Sequence, residues 1–154
     1  MHDIEINIAT SSDIPALCEF EKIARITEPE IWIDKFNLNE YKKKMINAGL
    51  DDLENNKIIL ARQDGSVIGR CDLLIMDSLM NFEIIGYIDW IYVLKEYRRK
   101  GIGKKLINKA EEYFRMRGVK EYYLFTAQND EAQIFYHKLG YTIKNREIAL
   151  KKLI

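Results

Sequence analysis

Residues 93–106 read V-L-K-E-Y-R-R-K-G-I-G-K-K-L. A long apolar and aromatic run, Phe82 to Val93, ends here. A basic turn follows, and Gly101 and Gly103 open a segment whose apolar stripe, Ile102, Leu106, Ala110 and Tyr113/Phe114, has helical spacing. The stretch reads as buried strand, turn, helix. The first N–H groups of a helix lack intrahelical partners, and the macrodipole adds positive charge, so such a terminus binds anions. Glycines at 101 and 103 keep side chains off that backbone. Arg98, Arg99, Lys100, Lys104 and Lys105 crowd five positive charges around it. These ingredients suit a pyrophosphate. A solvated face or a nucleic-acid patch is the alternative reading of the charge, and the glycines inside the run favour phosphate capture. A P-loop would need a glycine five residues from Gly101 and Ser or Thr after Lys104, and neither is present. A Rossmann fingerprint would need a small residue where Leu106 stands. The pattern that does match is R-x-x-G-x-G, at Arg98, Gly101 and Gly103.

Working outward, the chain alternates strands and helices. Ile4, Ile6 and Ile8 alternate with polar residues as a first strand. Ser11-Ser12-Asp13 followed by Pro15 marks a helix start, and that helix runs through Leu17 and Ile23. A second helix covers Leu38 to Ala48, with Gly49 as its stop. Lys57–Arg62 and Val67–Met76 are β-rich runs joined across Asp64-Gly65, a strong hairpin signal. Phe82–Val93 is a strand interrupted by Gly86 and Asp89, where Gly86 signals a bulge or a close backbone approach. Glu121–Thr126 is a further strand. Asn129 caps a helix with core face Ala132, Phe135, Tyr136 and Leu139, and Tyr141–Leu153 returns as a hairpin turning near Asn145-Arg146. The order β-α-α-β-β-β-α-β-α-β predicts a mixed α/β domain around one central sheet.

Composition narrows the class. The 154 residues suffice for one domain, with no linker or repeat to divide 1–154. An apolar content of 47% excludes disorder as the main state. No apolar run approaches a membrane span, and MHDIEINIAT lacks the features of a signal peptide. Cys18 and Cys71 read as reduced core thiols of a cytoplasmic protein, and His2 and His137 as surface residues. Net charge is zero, yet residues 1–90 hold 9 Lys/Arg against 17 Asp/Glu and residues 91–154 hold 15 against 7. The split of −8 and +8 suggests a cationic partner for the first part and an anionic one for the second; the bland alternative is that the halves pair with each other.

R-x-x-G-x-G, followed about 30 residues later by N-D-E-A-Q-I-F-Y-H-K-L-G-Y (129–141), resembles the GNAT superfamily of acetyl-CoA-dependent N-acetyltransferases. The likeness spans nearly the whole chain, from I-A-T-S-S-D-I-P-A-L (8–17) through the Asp-Gly hairpin and I-D-W-I-Y-V-L-K-E-Y (88–97). That last stretch and the short ending also resemble some aminoglycoside 6′-N-acetyltransferases. The family implies a central, mostly antiparallel, splayed sheet of six to seven strands flanked by about four helices. It implies CoA pyrophosphate on the turn Arg98, Arg99, Lys100, Gly101, Ile102, Gly103 and Lys104, and pantetheine pairing with the backbone of Ile91, Tyr92 and Val93. It places Asn129 near pantetheine and Tyr136 near the thioester sulfur, and it needs no metal. Apart from the family, Tyr136 reads as core and Asn129 as a plain N-cap.

An ammonium must lose a proton before its nitrogen attacks a thioester, which calls for a carboxylate or a water chain. Asp89 is the candidate base, placed by strand alternation on the face of Ile91 and Val93, with satisfied burial as its structural alternative; Glu83 is the runner-up. The Tyr136 phenol is the candidate acid for the leaving thiolate, and the N–H of Tyr92 or Val93 could stabilise the oxyanion. The expected acceptor is a small polycationic amine, aminoglycoside-like or a polyamine, met by Asp34, Glu40, Asp72, Asp77 and Glu83. A protein N-terminus or lysine is the alternative acceptor, and a non-catalytic acyl-CoA sensor the alternative class. Neither nucleic acid nor membrane is an expected partner. The 148–153 strand could pair with a second copy as a homodimer.

Overall fold

The computed structural model describes residues 3–32 and 34–154; His2 lies outside them. Among these residues five strands form one sheet in the order β1-β2-β3-β4-β5. They are β1 Glu5–Ile8, β2 Asn56–Gln63, β3 Ser66–Ser78, β4 Glu83–Val93 and β5 Tyr122–Leu124. The first three pairings are antiparallel and β4–β5 is parallel. The helices are α1 Ile14–Thr27, α2 Leu38–Ala48, α3 Ile102–Met116 and α4 Asp130–Lys138. The Asp-Gly turn behaves as its sequence requires: Asp64 and Gly65 both take positive φ (51° and 79°), the twist that matches a two-residue hairpin.

The two faces of the sheet bury different helices. On one face Ile59, Ile68, Cys71, Leu73 and Ile88 meet Ile102, Leu106, Ile107, Ala110 and Phe114 of α3. On the other, Leu60, Val67 and Tyr92 meet Leu17, Phe20 and Ala24 of α1 and Met45 of α2. Each Leu, Ile or Phe fully removed from water contributes about 1.5–3 kcal/mol, so these two layers dominate the stability. Both cysteines are buried free thiols, and His137 is exposed.

Two local features open the sheet where the site lies. A bulge falls between Asp72 and Leu73: Trp90 pairs with Asp72 and Ile88 with Leu73, which leaves Asp89 as the extra residue. Beyond it, β4 runs on to Val93, while its pairing with β5 covers only Gly86–Ile88. The β5 expected over 121–126 is shortened accordingly, because the bulge turns β4 away and leaves the later residues without a ladder partner. Gly86 answers the close approach: a Cβ there would lie 2.7 Å from the Phe114 ring and 2.9 Å from Tyr122 Cβ.

The sheet has five strands instead of six to seven, and the hairpin expected over 141–153 does not form: residues 141–154 carry no strand. Ile148, Leu150 and Leu153 are 68%, 83% and 88% exposed. The alternation of Ile148 and Leu150 reads as a strand, but a strand needs a hydrogen-bonding neighbour and a face to bury, and this segment has neither among the described residues.

Candidate active site

The gap between β4 and β5 sets the geometry. Leu94 N–H donates to Ile68 O at 2.9 Å, toward β3. Backbone groups alternate sides along a strand, so Tyr92 also faces β3, whereas Ile91 and Val93 direct theirs away from β3 into the gap. Of the two expected oxyanion donors, Tyr92 N–H is therefore turned toward the ladder and Val93 N–H is turned to the gap.

The bulge also corrects the expected placement of Asp89. Ile88, Ile91 and Val93 all pack toward α3, and Trp90 and Tyr92 toward α1 and α2. The extra residue breaks the alternation, so Asp89 does not share the face of Ile91 and Val93. It is exposed, and its charge reaches Asp72 and Tyr87. Tyr87 packs tilted against Tyr123 and edge-on to Phe125, with ring centroids 5.1 and 5.8 Å away, an aromatic shelf beside this carboxylate. Glu83 opens β4 opposite Ser78 at the far end of the hairpin, roughly 20 Å from Asp89 at the rise of a strand.

At the end of the gap lies the basic turn. Arg99 and Gly101 have positive φ, 62° and 78°, and Gly101 has open space where a Cβ would stand. No side chain caps the start of α3, so its first N–H groups face outward. Arg99, Lys100 and Lys104 are exposed around them, while Ile102 is buried at 1% exposure and offers only its backbone. Gly103 has another reason to be glycine than the one expected: a Cβ would press on the Phe135 ring of α4.

Arg98 is not a free cation. Its Nη1 donates to Glu28 Oε1 at 3.1 Å, its Nη2 to Glu28 Oε2, and its Nε to Val93 O at 2.9 Å. The Tyr92 hydroxyl donates to the same Glu28 carboxylate. Burial alone would raise the Glu28 carboxyl, but the hydrogen bonds from Tyr92 and Arg98 outweigh it and hold the group below the usual range.

On α4, Asn129 is an N-cap whose side chain accepts from Ala132 N at 2.8 Å. Tyr136, 7% exposed, packs between Phe135 and Tyr141 with ring centroids 5.1 and 5.2 Å away. It lines a cavity of about 120 Å³ with Leu124, Thr126 and Tyr141. Burial, with a smaller contribution from Cys71, pushes its phenol up to about 12. Cys71 is the register partner of Ile91, so the phenol lies close beneath the gap-lining strand.

The α1–α2 side holds a buried ionic cluster. Arg70, 8% exposed, donates to both oxygens of Asp72 at 2.7 and 2.9 Å, to Glu21 at 3.0 Å and to Tyr41. Desolvation raises the Glu21 and Asp72 carboxyls against the pull of Arg70. Arg25 lies over Phe36 and Trp32 at 3.8 and 4.3 Å, and Trp32 meets Trp90 at 5.3 Å. Of the acids expected to meet an amine, Asp72 is thus neutralised by Arg70, Glu40 pairs with Lys44, and Asp77 and Glu83 lie at the hairpin end. Asp34 is exposed.

Sequence reasoning missed Glu21, Glu28 and Arg70. A signal existed: the buried stripe of α1, Leu17, Phe20, Glu21 and Ala24, carries an acid where apolar side chains belong. Among the described residues no group of three His, Cys, Asp or Glu could hold a metal ion, and no helix is long and apolar enough to cross a membrane.

The chain is similar to known proteins. Residues 19–141 match the Acetyltransferase (GNAT) family. Glucosamine 6-phosphate N-acetyltransferase of Trypanosoma brucei brucei is 24% identical over 151 residues, covering 96% of this chain and 95% of that protein. Spermidine N(1)-acetyltransferase of Thermoplasma acidophilum is 29% identical over 122 residues, 77% and 70% of the two chains. A solved aminoglycoside N-acetyltransferase in complex with CoA superposes with a TM-score of 0.80 at 18% identity, covering 100% and 97% of the chains, a likeness of fold. With most of its length matched and the splayed sheet and glycine turn in place, the chain belongs to the GNAT family of acetyltransferases.

Proposed function

We propose that residues 1–154 act as one domain that transfers the acetyl group of acetyl-CoA to the amine of a small cationic acceptor, by direct attack in a ternary complex. The observation that carries this reading is the gap itself: Ile91 and Val93 turn backbone groups into it, the uncapped start of α3 stands at one end, and Tyr136 lies beneath it. The residues fit the donor. Backbone N–H groups of the turn Arg99–Lys104, with Lys100 and Lys104 around them, suit a pyrophosphate, and the gap-facing backbone of Ile91 with the N–H of Val93 suits an amide-bearing arm, Val93 O being taken by Arg98. Asn129 keeps its side-chain N–H groups for that arm while capping α4.

Acetyl-CoA supplies an activated acyl thioester. Asp89, exposed beside the Tyr87–Tyr123–Phe125 shelf, takes the proton of the acceptor ammonium. Val93 N–H stabilises the negative charge that develops on the acyl oxygen. The Tyr136 phenol, protonated throughout the neutral range, gives its proton to the departing sulfur. The acidic first 90 residues and the aromatic shelf support a cationic acceptor of the aminoglycoside or polyamine kind.

We infer a cytoplasmic protein from its two buried free thiols. We also infer a homodimer in which residues 148–153, with Ile148, Leu150 and Leu153 exposed and no strand partner among the described residues, pair with a second copy. Light scattering on the full chain at micromolar concentration tests the latter.

The deciding experiment follows thiol release from acetyl-CoA against aminoglycosides, spermidine, and peptides with free N-termini or lysines. Turnover with one of the small polycations supports the proposal. Turnover with peptides alone moves the acceptor to protein amines, and acetyl-CoA binding without turnover by any amine makes the chain an acyl-CoA sensor.

A further inference from the structure

We propose that Glu28 is a positioning residue for the cofactor turn: it locks Arg98 into an internal ion pair that fixes the end of β4, and the turn takes its phosphates without the charge of Arg98. The inference rests on the acetyl-CoA reading above.

Glu28 follows the last residue of α1 and is 6% exposed. Its two oxygens receive both terminal nitrogens of Arg98 and the hydroxyl of Tyr92. The third nitrogen of Arg98 donates to Val93 O, and the guanidinium lies over the Tyr92 ring at 5.1 Å. A guanidinium is a rigid fork, so holding one end fixes the other. The carbonyl of Val93 is therefore held by Glu28 acting through Arg98. The N–H of the same residue turns into the gap on the same side. Arg98 also opens the turn that leads into α3, so one ion pair ties the floor of the gap to the phosphate-binding backbone.

The same pair reaches the acceptor side. Pro29–Ile31 follow Glu28 as a single tight turn, and Trp32 beyond it packs on Trp90 and Tyr92 at 5.3 and 5.6 Å. A charge neutralised this thoroughly contributes little field at the phosphates; Arg99, Lys100 and Lys104, all exposed, supply it.

Two roles for Arg98 predict opposite signs in one variant. Glu28→Gln removes the neutralising charge and frees Arg98. If Arg98 were a phosphate ligand, acetyl-CoA would bind more tightly. If Glu28 positions the turn, losing a charge-assisted pair weakens acetyl-CoA binding by roughly 10-fold. Titration calorimetry of the full chain with acetyl-CoA reads the difference, and equal or tighter binding by Glu28→Gln overturns the proposal. Should that variant not fold, Tyr92→Phe keeps both charges and deletes one donor to Glu28. It is expected to weaken binding about 3-fold, and wild-type affinity there overturns the proposal as well. Salt dependence is a readout that a merely structural role would not sort: Lys104→Gln flattens the fall of affinity with ionic strength, while the double variant Glu28→Gln/Arg98→Gln, which removes the pair without changing the net charge, weakens binding and keeps the wild-type slope. A flattened slope in that double variant returns Arg98 to the phosphates. Wild type that fails to bind acetyl-CoA overturns the functional reading together with this one; wild type that binds while Glu28→Gln binds equally well overturns this one alone.

Discussion

Gly103 of α3 faces Phe135 of α4 so closely that a Cβ at Gly103 would stand 3.0 Å from the ring's Cζ and 3.3 Å from its Cε2. The glycine sets how near the two helices come. The residue after Phe135 is Tyr136, so this contact also sets the depth of the phenol. Gly103→Ala gains helix propensity of about 1 kcal/mol and loses a similar amount to crowding. The melting temperature is expected to change by only a few degrees, while kcat falls several-fold as α4 shifts. Unchanged kcat would show that α4 tolerates the displacement.

Gly101 has φ of 78° with nothing within 4 Å of a built Cβ. Strain is its only structural constraint, so Gly101→Glu costs about 1–2 kcal/mol for the left-handed backbone and leaves the protein folded. It brings a carboxylate into the phosphate site. Acetyl-CoA binding should disappear in calorimetry while the circular dichroism spectrum stays unchanged. Retained affinity would remove the turn from the cofactor site.

Tyr136→Phe keeps the ring between Phe135 and Tyr141 and deletes only the hydroxyl. We expect kcat to fall by roughly 10²-fold, the scale of general-acid catalysis, with the acetyl-CoA affinity nearly unchanged. The phenol titrates at about 12, above its unfolded value near 10. The native state therefore binds more protons than the unfolded state between those values, and this contribution to stability, present below about pH 10, is lost as pH rises toward 12. Tyr136→Phe should show a smaller alkaline loss of stability than wild type in denaturant titrations at pH 9 to 12.

Asp89 is exposed at the bulge, so Asp89→Asn should leave thermal stability within about 0.5 kcal/mol of wild type. If Asp89 is the base, turnover drops by roughly 10²-fold at neutral pH and recovers as pH rises and the acceptor amine deprotonates on its own. A uniform loss at every pH would assign Asp89 to acceptor binding.

Arg70→Ala would strand Glu21, which is buried, and Asp72, which is half-buried, both already raised by desolvation. Removing one partner of a buried ion cluster costs about 3–5 kcal/mol. The two carboxyls then titrate higher still in the folded state. The folded variant holds protons that the unfolded chain releases above its ordinary carboxylate pKa, so its stability falls as pH rises. The deficit relative to wild type should be largest near pH 7 and shrink toward pH 4 in chemical denaturation. A deficit independent of pH would mean that packing, not charge, is what Arg70 supplies.

Much of this architecture was legible in the chain. Asp64-Gly65 demands positive φ at both residues and formed the hairpin; Gly101 and the basic turn opened α3; Asn129 capped α4. Such features depend on neighbours within a few residues, so spacing carries them. The tail misled, because Ile148 and Leu150 alternate like a strand but strand formation requires a hydrogen-bonding partner, and among the described residues 141–154 pair with none of the strands.

The sequence by itself determined the family, the order of helices and strands from β1 through α4, and the residue types of the phosphate turn, since each rests on local propensity or a contiguous motif. Only the tertiary structure decided which groups face the gap. One extra residue at Asp89 reversed the alternation that would have placed it beside Ile91 and Val93. Glu28, 70 positions before Arg98, took the charge that a linear reading had left free for phosphate. Both outcomes depend on register and on long-range pairing, and neither is written in the spacing of neighbouring residues.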